Sequence, residues 1–150
     1  RSNAAAAGTD SLLDSPTNYE ADTGNNGGNY CVLNPLSNDG VTLTNGNLDF
    51  YVGPSDRKQV NGTIAVSSGK WYWEIYITSD GALIGIEESS YDPHSGNRTG
   101  LHTGGYAWRL DDGYKYGSNG SISTLYDSSV NAGDLIGVAL DLDAGTLTYY

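Results

Sequence analysis

Gly69-Lys-Trp-Tyr-Trp-Glu-Ile-Tyr-Ile77 is the stretch that decides the fold. Successive side chains of an extended strand point to opposite faces. Trp71, Trp73, Ile75 and Ile77 therefore share one face, while Lys70, Tyr72, Glu74 and Tyr76 share the other. The first face is far more apolar than the second, as in a strand with one side on a core. A second run, Asp134-Leu-Ile-Gly-Val-Ala-Leu-Asp-Leu-Asp-Ala-Gly-Thr-Leu-Thr-Tyr-Tyr150, repeats the pattern. It reads as a buried strand, a tight turn around Asp143-Ala144-Gly145 and a returning strand. The apolar phase of these runs and their neighbours predicts a core of Trp71, Trp73, Ile75, Ile84, Ile86, Ile136, Val138 and Leu140.

Further strands are expected over residues 30–33, 41–44, 48–52, 62–66, 70–78, 82–87, 105–110, 114–116, 121–126, 134–141 and 146–150. Between them lie Asn45-Gly46, Asn61-Gly62, Ser68-Gly69, Asp80-Gly81, Asp112-Gly113, Asn119-Gly120 and Ala144-Gly145. Asx-Gly pairs tolerate the positive φ that tight hairpins need. Short strands with turn signals every ~8–12 residues predict an all-β fold, a sandwich of two antiparallel sheets. No window carries convincing helical periodicity. Residues 1–11 read as a linker or tail, and residues 12–150 as one domain. Residues 17–29 and 87–104 read as long surface loops.

The 150 residues suffice for one sizeable core. A formal charge of −11, from 18 acidic and seven basic residues, opposes nucleic acid and anionic membranes, both of which are read through basic patches. No apolar stretch is long enough for a helical membrane span. Cys31 is the one cysteine, so no disulfide forms within the chain; it is expected as a buried, inert thiol in the run Tyr30-Cys-Val-Leu33. The chain opens at Arg1 and contains no methionine, so it is expected to be a piece of something longer or a processed product.

Four motifs carry a family resemblance. Gly69-Lys-Trp-Tyr-Trp-Glu-Ile75 resembles the G-x-x-Y-W-E-V strand of the SPRY domain family, within the concanavalin A-like group of β-sandwiches. Leu83-Ile-Gly-Ile-Glu-Glu-Ser89 is similar to its x-V-G-V-x-x-x strand, and Ala107-Trp-Arg-Leu-Asp-Asp-Gly113 to the aromatic strand and turn that follow. Gly133 to Tyr150 resembles G-D-x-I-G-x-x-L-D-x-x-x-G-x-x-x-F/Y. The resemblance covers roughly residues 62–150. Asp14-Ser-Pro-Thr17, the Asn-rich loop, Tyr30-Cys-Val-Leu-Asn-Pro-Leu36 and Thr42-Leu-Thr-Asn-Gly-Asn-Leu48 resemble the leader of SPRY-type domains in structural proteins of bacteriophages. Such domains continue past the position of Tyr150, so the resemblance implies a sandwich that is incomplete there. It also implies a sheet edge that another segment or subunit covers.

The resemblance implies a non-enzymatic recognition or structural module, in a virion or another extracellular setting. Its partner would be a host-surface protein or glycan, with other subunits, including copies of itself, as neighbours in a larger assembly. One alternative is a decoration subunit that touches its neighbours through sheet edges; another is a carbohydrate-active enzyme of the same sandwich group. Glycosidases of that group set paired carboxylates on one strand face, but the central strand here supplies Glu74 alone, and Glu87-Glu88 point to opposite faces. No catalytic residue, metal ligand or cofactor is therefore assigned. Asp141-Leu-Asp143-Ala-Gly145 lacks the distal Glu of a calcium loop and reads as a turn. His94 and His102 read as solvated loop residues. Binding is expected in the loops, at Tyr91, His94, Arg98, Trp108 and Asp111, which combine aromatic surface, a bidentate donor and carboxylate acceptors. Tyr106 and Tyr149 are expected in the core.

Overall fold

The computed structural model describes residues 30–51, 58–79, 81–91, 100, 102–117, 122–128 and 130–150. Every regular element among them is a strand, and every paired ladder is antiparallel. The chain packs as two compact units, one reaching to Ala65 and one running from Val66 to Tyr150.

In the first unit β1 (Leu33–Asn38) pairs with β4 (Val60–Gly62), with an irregularity in register between Leu33 and Asn38. The hairpin of β2 (Thr42–Thr44) and β3 (Asp49–Tyr51) turns through Asn45-Gly46-Asn47. Asn45 and Asn47 hold φ of 53° and 65°, the left-handed region that asparagine tolerates better than most side chains. The Asn38 side chain accepts from Val41 N–H at 2.7 Å and donates to Val41 O at 3.0 Å, which anchors the buried Val41 at the entry to β2. Cys31 departs from expectation. The β1 ladder begins at Leu33 rather than Tyr30, so Cys31 precedes the strand and is exposed.

The second unit is the sandwich. One sheet has the order β11–β10–β5, from β5 (Lys70–Tyr76), β10 (Leu135–Asp141) and β11 (Thr146–Tyr149). The other has the order β6–β7–β8–β9, from β6 (Leu83–Ile86), β7 (Tyr106–Arg109), β8 (Tyr114–Gly117) and β9 (Ile122–Leu125). The two runs that defined the fold in sequence lie side by side, with Trp73 opposite Val138 and Trp71 opposite Leu140. Their shared apolar phase meets the second sheet in one cluster: Ile77, Ile136, Val138 and Tyr149 from one side, Ile84, Trp108 and Leu110 from the other. Ile84, Ile136, Val138 and Leu140 are buried as the alternation requires. Trp73 and Ile75 are half-buried and pack against the cluster. Trp71 sits at the strand's start, where its indole N–H donates to Ser68 O at 2.8 Å. Tyr106 is 42% exposed rather than in the core: it shares the phase of Trp108 but is the first residue of β7, at the strand's end.

Three rings join the sheets. Trp108, Tyr126 and Tyr149 lie with centroids 5.4–5.7 Å apart in tilted and edge-on arrangements, the geometry that ring quadrupoles favour. Tyr149 O–H donates to Ile84 O at 2.8 Å, and Tyr149 N–H donates to the Tyr126 hydroxyl at 3.1 Å. Burial holds the Tyr149 hydroxyl well above the ordinary phenol range.

Two outcomes check this packing. Leu110 is fully buried, so Leu110→Ala is expected to cost about 2–5 kcal/mol in urea unfolding. Tyr149→Phe keeps the ring and removes the bond to Ile84, an expected loss of about 0.5–1.5 kcal/mol. The raised Tyr149 pKa carries a sign as well. The unfolded chain releases this proton first, so its contribution to stability is complete below about pH 10 and is lost as pH rises through that range. Denaturant midpoints of the wild type should therefore fall more steeply than those of Tyr149→Phe on the alkaline side.

Candidate recognition surfaces

The residues expected to bind do not form one site. Strand β7 separates them: the connection from β6 enters at Tyr106, and the turn to β8 leaves after Arg109, at the other end of the same strand. Tyr91 belongs to the first end and Asp111 to the second. Trp108 lies between them and is 5% exposed, packed on Tyr126 and Tyr149. Its inward phase on β7 removes it from any surface site. His94 and Arg98 lie outside the described residues.

At the second end a charged turn is closed on itself. Arg109 makes a bidentate contact to Asp111, at 2.6 Å through Nε and 2.7 Å through the terminal nitrogen, and reaches Asp112 at 3.2 Å. Arg109 holds the Asp111 carboxyl below the usual carboxylate range. Asp112 also accepts from Tyr114 N–H at 3.1 Å, which shapes the entry to β8. Asp111 is thus an exposed acid already committed to a neighbour.

At the first end the two feet of the β6–β7 connection are tied together. His102 Nε2 lies 3.2 Å from Glu87 Oε2, with both side chains less than a tenth exposed. Its Nδ1 lies 3.0 Å from Thr103 O. Tyr91 stacks on the imidazole with centroids 3.6 Å apart and planes 4° from parallel. His102 is therefore a buried, engaged residue, not a solvated one. A histidine inside a Gly-rich stretch looked like loop surface, and nothing in the sequence showed that Glu87 would return to it from the end of β6.

The third surface is the outer face of β5, β10 and β11. Tyr72, Tyr76, Leu135 and Tyr150 are 61%, 63%, 57% and 75% exposed there. Gly137 makes the floor between them: a Cβ at that position would lie 2.5 Å from the Tyr72 hydroxyl, so only glycine lets the ring lie down. Tyr72 O–H donates to Glu74 at 3.0 Å, and that bond is the main cause of a raised Tyr72 pKa. Lys70 and Asp141 pair at 2.7 Å at the margin. A shallow groove of about 390 Å³ runs across this face between Tyr72, Ala139, Thr148 and Tyr150. Glu74 stands opposite Gly137 in the ladder, so β10 offers it no carboxylate partner at that register. The signal was present in the sequence as the polar phase of the 69–77 run, which offered tyrosines where a solvated strand would carry charged residues.

The turn after β10 is set by Asp141, whose carboxylate accepts from Asp143 N–H at 3.1 Å and Ala144 N–H at 2.9 Å, as the turn reading expected. Among the described residues no three His, Cys, Asp or Glu side chains gather as a metal site. Asp111→Asn should lower stability by no more than about 1 kcal/mol, since the pair with Arg109 is about a third exposed. The effect should vanish as pH falls and the wild-type Asp111 itself protonates, which a pH series of denaturant midpoints would record. The family model described as SPRY domain matches residues 70–150, more than half of the chain.

Proposed function

The chain belongs to the SPRY domain family, and from that premise we propose that it is a recognition module of a phage virion or fibre, contacting a host-surface protein or glycan through the β6–β7 connection. SPRY domains are generally protein-interaction modules and typically non-enzymatic. The observation that carries the reading is the anchoring of that connection. Tyr91 is held face to face on a buried imidazole, so an aromatic contact residue is positioned before any partner arrives. A pre-ordered aromatic binds at a lower entropic cost than a mobile one. Arg98 and His94 follow it in the same connection and supply planar and point donors for carboxylates or hydroxyls.

A second reading rests on a different observation, the exposed tyrosines of β5, β10 and β11. Contiguous exposed apolar surface marks interaction sites, and tyrosine is enriched in them. On this reading the module is a subunit of an extracellular assembly, and the outer sheet face together with the β11 edge meets a neighbour.

One paired experiment separates the two. Tyr91→Ala/Arg98→Ala and Tyr72→Ala/Tyr76→Ala are each compared with wild type on a glycan array, in capture from host envelope and in light scattering. The first reading expects the loop variant to lose binding about tenfold or more, while the sheet-face variant binds as wild type. The second expects the sheet-face variant alone to change the assembly state. Unchanged host binding by the loop variant would overturn the loop assignment.

A further inference from the structure

We propose that Asn45 is a site of spontaneous covalent modification, at which the side-chain amide is lost and the backbone is rerouted through the side chain as isoaspartate. The chain holds Asn-Gly pairs at Asn26, Asn45, Asn61 and Asn119, and the described residues include those at Asn45 and Asn61. An asparagine followed by glycine is the least shielded setting for this reaction, because glycine carries no Cβ beside its amide nitrogen. As local sequence the pairs at Asn45 and Asn61 are equivalent. The structure separates them.

Asn45 and Gly46 lie in the turn of the β2–β3 hairpin, and both are exposed. Their φ angles are 53° and 64°, so neither is held in the extended backbone of a strand. A Cβ at Gly46 would meet nothing within 4 Å, so the space beside its amide is open to water. Asn45 accepts from Leu48 N–H at 3.3 Å through its backbone carbonyl, and among the described residues nothing bonds its carboxamide. Asn61 is the opposite case. It is half-buried within β4, its Nδ2 donates to Ser37 Oγ at 3.1 Å, and its Oδ1 accepts from Gln59 Nε2 at 3.3 Å. Gly62 stands opposite Leu33 in the ladder, and a Cβ there would lie 2.7 Å from Cys31 Sγ. To react, Asn61 would have to give up both side-chain bonds and turn within a crowded strand.

The reaction consumes only water. Base takes the Gly46 amide proton, and the nitrogen attacks Asn45 Cγ from within the same chain, without the entropic cost of a separate reactant. The Cγ–Nδ2 bond breaks, Nδ2 takes up a proton and leaves as ammonia, and a cyclic succinimide remains. Water then opens either ring carbonyl. Addition at Cγ breaks its bond to the Gly46 nitrogen and gives aspartate. Addition at the Asn45 backbone carbonyl breaks that carbon's bond to the same nitrogen and gives isoaspartate, whose main chain runs through Cβ and Cγ. The hairpin turn is then longer by one carbon. Turn length sets hairpin register, and here the register rests on Thr42–Tyr51, Leu43–Phe50 and Thr44–Asp49. The carbonyl that accepted from Leu48 N–H also becomes a carboxylate off the main chain, so the turn loses its closing bond.

The test uses the whole chain without substitution, aged in mildly alkaline buffer, since the attack needs a deprotonated nitrogen. Chymotrypsin cleaves after Tyr30, Tyr51 and Trp71, which puts Asn26, Asn45, Asn61 and Asn119 on separate peptides. Mass spectrometry of the peptides reads the exchange of amide for acid. Labelling by an isoaspartate-specific methyltransferase reads the rerouted backbone. In the folded chain Asn45 should convert about tenfold or more faster than Asn61 and should carry the isoaspartate label. In denaturant, where the local structure that protects Asn61 is gone, the two rates should agree to within about threefold. Equal conversion of the two in the folded chain, or an Asn45 that stays intact there while the denatured chain converts it, would overturn the proposal. So would a tenfold preference that persists in denaturant, because the fold would then not be its cause.

Discussion

The bond from the Tyr149 hydroxyl to the Ile84 carbonyl is the point on which the sandwich turns. It is the place where β11, at the margin of one sheet, reaches β6, at the margin of the other. Hydrophobic contact between the sheets is strong but carries little direction. A buried hydrogen bond carries direction, since an unmet donor or acceptor in that position costs more than the bond returns. Around it, Trp108 and Tyr126 fill the space with rings that touch edge to face. Tyr126 adds a second constraint by receiving the Tyr149 N–H and donating to Tyr149 O at 3.3 Å. The relative position of the two sheets follows from these few polar contacts, and the aliphatic residues Ile84, Ile136, Val138 and Leu110 supply the bulk of the burial.

Period-two alternation made most of this architecture legible in the sequence. Lys70 to Tyr76 and Leu135 to Asp141 alternate or run apolar without a break, and both form seven-residue strands. Asn45-Gly46 and Asp112-Gly113 marked turns, because positive φ restricts which residues can stand there, whereas Asn61-Gly62 lies inside β4. What alternation could not supply was the pairing between distant segments. Nothing local says that the residue after β6, Glu87, meets His102, fifteen residues on. Trp108 shows the same limit: lying close to a predicted turn suggested surface, and its phase on β7 decided for the core. In the first unit the ladder began three residues later than its apolar run, which left Cys31 outside it.

The candidate site was legible only as separate residues. A binding cluster needs side chains at one end of a sheet, and a list of loop residues does not say which end each loop occupies. Counting along β7 settles the matter. Four residues of strand span about 13 Å at the usual rise, so the connection entering at Tyr106 and the turn leaving after Arg109 cannot share a small ligand. Tyr91 and Asp111 are therefore parts of different surfaces, and the pairing of an aromatic with a carboxylate that suggested a joint site dissolves.

Charge then bears on which surface can meet which partner. A surplus of 18 acidic over seven basic residues produces a long-range field that slows the approach of any anionic surface. Two of the cations at the sandwich surface do little to offset it locally, because Lys70 is paired with Asp141 and Arg109 with Asp111 and Asp112, while Lys115 stands over the Tyr126 ring at 5.7 Å. Close contact must then come from groups whose attraction does not depend on net charge. Tyr72, Tyr76 and Tyr150 are such groups, since a phenol ring offers apolar area, a quadrupole and one hydroxyl. The alternation that buries Trp73 and Ile75 is the same alternation that turns Tyr72 and Tyr76 outward. The strand that builds the core thus also dictates the chemistry of the face it leaves behind.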